Sequence, residues 1–443
     1  MTFEENNPGA SPANAASKFQ LGEAFADAQD AADPLALFRE RFFFPKTTGD
    51  DNRSDNNNCL YLCGHSLGLQ PKSALDYIEE VLQDWEQLGV EGHFHALNPW
   101  TKYHKLLTEP SAALAGAKPS EVVVMNTLTV NLHLMMVSFY RPTGQRYKII
   151  VERGAFPSDQ YAIKSQIQFH GFDPETALIE MTPRAGEFCL RDEDVHSLID
   201  QAGDSVALIL LGAVNYATGQ AFDLAEITKA GHRKGCIVGF DLAHSFGNLP
   251  LHLHDWSADF AVWCNYKYLN GGPGCVGGCF VHEHHAKVCE MPRFAGWWGV
   301  DTKTRFKMGP EFQPIPGAEG WQVSNPPVIA LAPLRASLEI FAEAGFDRLR
   351  TKSIALTGYL EFLLNQQQSS NFSTITPLEP ERRGAQLSIR LPCHGRAVCD
   401  KLIAAGVIGD WREPDIYRVA PVPLYNSYRD VYRFVQQFLR ALG

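Results

Sequence analysis

Lys267 lies between two tyrosines in WCNYKYLNGGPG, residues 263 to 274, at the end of the apolar run DFAVWCNY. A lysine that closes a buried strand either snorkels to water or is held there for its amine, and the residues that accompany it decide between the two. Asp241 closes the run CIVGF, with His244 three residues on. Asn126, Thr127, Leu128 and Thr129 follow VVVM and open a helix whose free amides can hold a phosphate. Phe156, Pro157, Ser158 and Asp159 follow IVERGA. Singly, each has an ordinary structural reading: Asn126, Thr127, Ser158 or Asp159 as a helix cap, the strand-end acid as the start of a turn, His244 as a hydrogen-bonded structural histidine. Together, a lysine, a strand-end aspartate, an aromatic ring and a helix-start phosphate site are the parts that pyridoxal phosphate requires. The amine forms the Schiff base, the carboxylate keeps the pyridine nitrogen protonated and the ring stacks on an aromatic face.

These residues all directly follow apolar runs, and the runs recur with a period that defines the elements. EVVVMN, YKIIVE, TALIEM, VALILL, CIVGFD and DFAVWC read as strands, most of them separated by amphipathic helical segments such as DEDVHSLIDQAG and LAEITKAGHRKG. That alternation predicts an α/β fold with a mainly parallel central sheet covered by helices on both faces, and ligands in such sheets collect at the carboxyl ends of the strands. After about residue 330 a long helical stretch leads into short strands around AQLSIRLP and IYRVAPVP, which predicts a smaller α+β domain. The expected division is 1–58, an N-terminal segment with a short helix (DPLALFRERFFF) and two mobile polar stretches, the first twenty or so residues and 47–58; 59–330, the large domain; and 331–443, the small domain packed with the N-terminal segment. The amphipathic KSALDYIEEVLQDWEQLGV is expected to pack alongside.

The composition narrows the partner. Lys+Arg 39 against Asp+Glu 50 gives a net charge of -11 with no basic run, which argues against nucleic acid and anionic membranes and for a small molecule. No apolar run approaches the roughly 20 residues needed to cross a bilayer. The start of the chain has no basic region followed by an apolar core, so no signal peptide is expected and the cytoplasm is the expected address. Ten cysteines in so long a chain do not read as a disulfide framework. Cys275, Cys279, His282, His284 and His285 are the sharpest metal candidate. On a strand, Cys275 and Cys279 would stand roughly 13 Å apart, too far to share one zinc, so no metal is expected and the histidines read as a polar turn.

YLCGHSLGLQPK, TLTVNLHL, FPSDQYAI, YATGQAF, GFDLAHSFGN, YKYLNGGPG, GWWG, KTRFKM, VSNPP and RVAPVPLYNS, in this order between about residues 59 and 437, resemble the kynureninase family. The resemblance implies the fold type I of PLP-dependent transferases, the aspartate aminotransferase fold. It also implies hydrolysis of kynurenine or 3-hydroxykynurenine to alanine and anthranilate or its hydroxy form, in tryptophan degradation and NAD biosynthesis. Carried over by position, Lys267 holds the cofactor, Asp241 pairs the pyridinium nitrogen and Phe156 stacks on the ring. Leu128 and Thr129 donate to the phosphate, Tyr266 is a phosphate ligand that also moves a proton, and Asp159 and His244 touch the cofactor. Trp297 and Asn325 come from the partner subunit of a homodimer. Arg418 grips the substrate carboxylate, and His93, Asn325 and Ser66 line the aryl end.

Two positions depart from the family pattern: His65 stands where Gly-Asn-Ser-Leu-Gly has its asparagine, and Gly212 where a serine is often near the cofactor. The rival readings are a cysteine desulfurase of the same fold, which needs a mobile loop cysteine where strand cysteines are read here, and a noncatalytic binding protein, against which the joint presence of Lys267 and Asp241 argues. A nucleotide-binding protein is weaker, since no G-x-G-x-x-G or G-K-[ST] loop opens a helix.

Overall fold

A computed structural model of the chain describes residues 18–47, 58–286, 290–367 and 369–443. Most of the two stretches expected to be mobile lies outside the described residues. Between them the sequence reading missed α1 (Glu23–Ala31), and DPLALFRERFFF forms a short 3-10 helix over Ala36–Arg41.

Seven strands form the central sheet: β1 (Val122–Val124), β2 (Lys148–Glu152), β3 (Leu178–Met181), β4 (Val206–Gly212), β5 (Ile237–Asp241), β6 (Phe260–Cys264) and β7 (Gly277–Val281). Their spatial order is β1-β7-β6-β5-β4-β2-β3. The run from β6 to β3 is parallel, while β7 lies antiparallel to both β6 and β1. The reversal has a plain cause: residues 265–276, which join β6 to β7, form turns and no helix, and without a crossover helix the chain returns antiparallel. The strands read as unbroken apolar runs because both faces are covered, and along β6 successive residues divide between two cores. Ala261 and Trp263 join one cluster, Phe260 and Val262 the other, as the two-residue period of a strand requires.

The helices that frame the site are α2 (Ala74–Leu88), α3 (Leu128–Phe139), α4 (Pro157–Phe169), α5 (Asp192–Ala202) and α6 (Leu224–Arg233). The long helical stretch after residue 327 is two helices, α7 (Val328–Ala344) and α8 (Phe346–Asn365). They part at Gly345, whose φ of 76° lies in the left-handed region that only glycine enters at low cost. α2 packs on α7, with Glu80 and Glu339 paired to Arg335. Four further strands, β8 (Ser373–Thr374), β9 (Leu387–Arg390), β10 (Asp410–Arg412) and β11 (Ile416–Val419), make an antiparallel sheet in the order β10-β11-β9-β8, and Leu60–Tyr61 pairs in parallel with Val407–Ile408. α9 (Tyr428–Leu442) covers it, burying Phe434 and Phe438 with Leu356 and Tyr417 in a third core.

The N-terminal segment is fastened to this third core by rings and by charge. Phe19 and Phe25 pack on Tyr359, with ring centroids 5.7 and 5.4 Å away. Asp33 meets Lys352 at 2.7 Å, both nearly buried. Burial pulls the Lys352 amine down and Asp33 holds it up, so the lysine depends on its partner. Asp33→Asn should therefore destabilise the protein by about 3–5 kcal/mol, the usual result of leaving one buried charge alone, while the paired Asp33→Leu/Lys352→Met should come close to wild type. Thermal midpoints of the three proteins check this; equal losses in both variants would show that leaving Lys352 unpaired carries no penalty of its own.

Candidate functional site

The carboxyl ends of β1, β2, β4, β5 and β6 open on one cleft, lined among others by Leu128, Thr129, Phe156, Asp159, Asp241, His244, Tyr266 and Lys267. These are eight of the residues singled out in the sequence, from four separate segments. The local folding reasons differ. Asn126 adopts φ 49°, a left-handed turn that asparagine tolerates, and so swings the chain from β1 into α3. The cap residue of α3, Thr127, makes no side-chain capping bond, which leaves the first amides of the helix facing the cleft for an anion. Thr129 Oγ1 lies 2.8 Å from Ser158 Oγ at the start of α4, so two hydroxyls flank the same end.

The opposite end is acidic. Asp241 is buried at the end of β5, and its Oδ1 accepts the Ala243 amide at 2.6 Å. Asp159, in the first turn of α4, shares a hydrogen bond with it. Glu152, the last residue of β2, adds a third carboxyl, held by the Asn215 side-chain amide at 3.2 Å. Burial raises all three, and their mutual repulsion raises Asp159 and Glu152 further; Glu152 is pushed up to about 8. Glu152 Oε2 and Asp159 Oδ1 are buried without a hydrogen-bond partner. Such a wall is electrically incomplete and calls for a cation with an N–H to give.

Lys267 stands across from it. Its Nζ lies 3.0 Å from His244 Nε2 and about 6 Å from the ring centroids of Phe156 and Tyr266. An ammonium can only donate, so Nε2 of His244 accepts and the ring proton sits on Nδ1, which is buried without a partner. Burial, then the nearby cations Lys267 and Arg418, hold His244 well below its usual range and therefore neutral. Tyr266 is raised by burial and keeps its phenol proton.

The other sequence candidates divide. Arg418, on β11, is buried; Nη1 donates to the Tyr216 carbonyl at 2.7 Å, Nη2 donates to Asp410, and Nε has no partner. Tyr216 lines the cleft, so Arg418 sits immediately behind its wall. His65 is wholly buried with neither ring nitrogen hydrogen-bonded, 3.9 Å from Asp410; burial, then Arg418 and Lys267, keep it neutral. His93 and Asn325 do not reach Lys267: they line a second hollow with Trp85, Trp100 and Trp298. Trp297 is largely exposed, its Nε1 donating to the Arg305 carbonyl, and it lines neither hollow, nor does Ser66.

Glu152 is the residue that sequence reasoning passed over, although an acid closing an apolar strand is the signal that singled out Asp241. Gly212 belongs with it: a Cβ there would come within 3.3 Å of Glu152 Oε1, so the missing side chain leaves room for that carboxyl. The reading of the cysteines also needs correction. Cys393 is exposed in a turn rather than held in a strand, but it does not line the cleft.

Residues 349–438 match a family model described as the kynureninase C-terminal domain. A kynureninase of Koribacter versatilis (strain Ellin345) is 64% identical over 429 residues, which span 97% of this chain and 100% of the relative. One of Myxococcus xanthus (strain DK1622) is 59% identical over 418 residues, 94% of this chain and 97% of the relative. Among solved structures, the cysteine desulfurase CsdA from Escherichia coli superposes with a TM-score of 0.73 at 18% identity, covering 92% of this chain and 98% of its own. C-DES with glycine covalently linked to its PLP cofactor gives 0.71 at 18% identity, covering 88% and 99%. At that identity the likeness speaks for the fold, which is that of the type I PLP-dependent enzymes; the desulfurases are distant relatives in fold only.

The elevated Glu152 has a measurable consequence. Its folded value lies above the unfolded one, so the folded protein binds the extra proton between about pH 4.5 and 8, and its stability falls as pH rises through that window. Glu152→Gln removes the effect at constant shape. In cofactor-free protein, the thermal midpoint of the variant relative to wild type should climb from pH 5 to pH 8; a difference that stays flat would show Glu152 ionised throughout.

Proposed function

The chain belongs to the kynureninase family, and from that premise we propose how the residues of the cleft carry out the reaction. It is a PLP-dependent enzyme that hydrolyses kynurenine, breaking the bond between the β and γ carbons to release alanine and the aryl acid. The observation that carries the residue assignment is the meeting of Lys267 with three buried carboxyl groups, two of them incompletely paired, in one cleft whose far end offers free helix amides. That set fits pyridoxal phosphate: the acid wall accepts a protonated ring nitrogen, the amides of Leu128 and Thr129 with the hydroxyls of Thr129 and Ser158 accept the phosphate, and Phe156 offers a face to the ring. When bound, the cofactor supplies a sink for the electrons left on the α carbon.

The side chains do the rest. Lys267 would hold the cofactor through its amine, and the same amine, kept in place by His244 at 3.0 Å, would serve as the base for the α proton. Asp241 maintains the charge on the ring nitrogen, with Asp159 sharing its proton. Tyr266, which retains its phenol proton, returns a proton to carbon after the aryl acid leaves. Arg418 binds the substrate carboxylate with a guanidinium that Asp410 orients and whose Nε is still unpaired. Water adds to the γ carbonyl.

We also infer that the working unit is a homodimer, in which the hollow around His93 and Asn325, together with Trp297, completes the partner's cleft and reads the aryl ring, including a 3-hydroxyl where present. What supports this is that these residues stand apart from Lys267 in their own subunit. The cytoplasm is the proposed location; no described helix is long and apolar enough to cross a membrane.

Two outcomes are expected. Asp241→Asn should leave the fold intact and lower kcat on kynurenine by about 100- to 1000-fold, the usual worth of one preorganised charge partner; near-normal turnover would remove Asp241 from that role. Mixing inactive Lys267→Ala with inactive Asn325→Ala should restore activity through hybrid dimers, and continued inactivity with subunit exchange verified would contradict a shared site.

A further inference from the structure

The histidines after β7, which read from sequence as an idle polar turn, are organised around a buried carboxylate at the other edge of the sheet from Lys267. Asp259 directly precedes β6. Its Oδ2 is engaged by the Val238 amide at 2.7 Å and by His232 Nε2, in the last turn of α6, at 2.8 Å. Its Oδ1 faces two further imidazoles, His285 Nε2 at 2.6 Å and His284 Nε2 at 3.6 Å. One ligand atom from each of Asp259, His284 and His285 lies within 4.8 Å of the others. Four ligands about 2.0–2.1 Å from a tetrahedral zinc ion stand roughly 3.3 Å from one another, a spacing that 2.6 and 3.6 Å bracket.

We propose that Asp259, His284 and His285 form a binding site for a divalent transition-metal cation of the zinc type, with water as the fourth ligand and His232 as the residue that orients the carboxylate. The division of labour at Asp259 supports this, since one oxygen is fixed by a backbone amide and an imidazole while the other meets only imidazoles, the arrangement by which outer partners aim a metal ligand. The exposure of His284, about half of its side chain, gives the ion a path from solvent. A neighbouring trio, Glu121, His254 and His282, is a poorer host. The Glu121 oxygens already accept the Lys118 and Glu283 amides and His254, and His282 Nε2 donates to the His254 carbonyl.

The bound cation would clamp the end of α6, the start of β6 and the one-turn helix Glu283–Ala286 that follows β7. The length of β6 puts it roughly 16 Å from the cleft, so it takes no part in the chemistry. The test uses PLP-loaded enzyme treated with EDTA and then dialysed against zinc sulfate. Expected are one zinc per chain, a raised thermal midpoint, and unchanged kynurenine turnover whether or not zinc is present. His284→Gln, at a half-exposed position, should bind at least tenfold more weakly without loss of fold or activity, His232→Gln about 10- to 100-fold more weakly, and His254→Gln as tightly as wild type. Absence of stoichiometric zinc would overturn the proposal. So would zinc that His284→Gln retains at full affinity, because the ion would then be held by the cofactor or by the Glu121 trio.

Discussion

The burial of Asp241, Asp159 and Glu152 against one another is the constraint around which the site is built. Three carboxyl groups out of water and within each other's field cannot all ionise without a cation, and the structure leaves two of their oxygens with no partner. Lys267, across the cleft, is the nearest positive charge. It is also, in the proposed function, the amine that the chemistry needs, which rules it out as a permanent counter-ion. In the proposed assignment a protonated ring nitrogen of the cofactor answers both demands.

The sheet makes that arrangement possible. β2, β4, β5 and β6 run parallel, so their carboxyl ends bring Glu152, Gly212, Asp241 and the approach to Lys267 to one edge in register, with Gly212 opposite Asp241 across the β4–β5 ladder. β7 returns antiparallel and seats its first residue, Gly277, against the start of α3, where a Cβ would come within 3.1 Å of the Leu128 amide. The start of α3 and the acid wall are thereby fixed to the same rigid sheet, and positioning rests on strands rather than on mobile loops.

Much of this was legible in the sequence. Residues that follow an apolar run are candidates by position, and Leu128, Thr129, Phe156, Asp159, Asp241, His244, Tyr266 and Lys267 do meet in one cleft. Glu152 is hidden because it is itself the last residue of β2 and reads as part of the strand, one step before the residues that follow it. The distance of His93 from Lys267 could not be read either, since periodicity places a residue on an element and not beside another element distant in the chain; for Trp297 and Asn325 only the resemblance implied a place in the partner's site. The histidines of VHEHH were dismissed through the cysteines beside them; the partner that organises them, Asp259, is more than twenty residues earlier and meets them only because β6 and β7 are neighbours. α1 was missed for a related reason: its main packing partner, α9, whose first amides at Tyr428 and Arg429 donate to Asp30, lies at the other end of the chain.

Borohydride reduction of the yellow, PLP-loaded enzyme followed by peptide mapping tests the central assignment most directly. The account predicts a single covalent label on the amine of Lys267, in the peptide containing NYKYLNGGPG, and no label in Lys267→Ala. A label on another lysine, or reduction that leaves no cofactor on the chain, would contradict it.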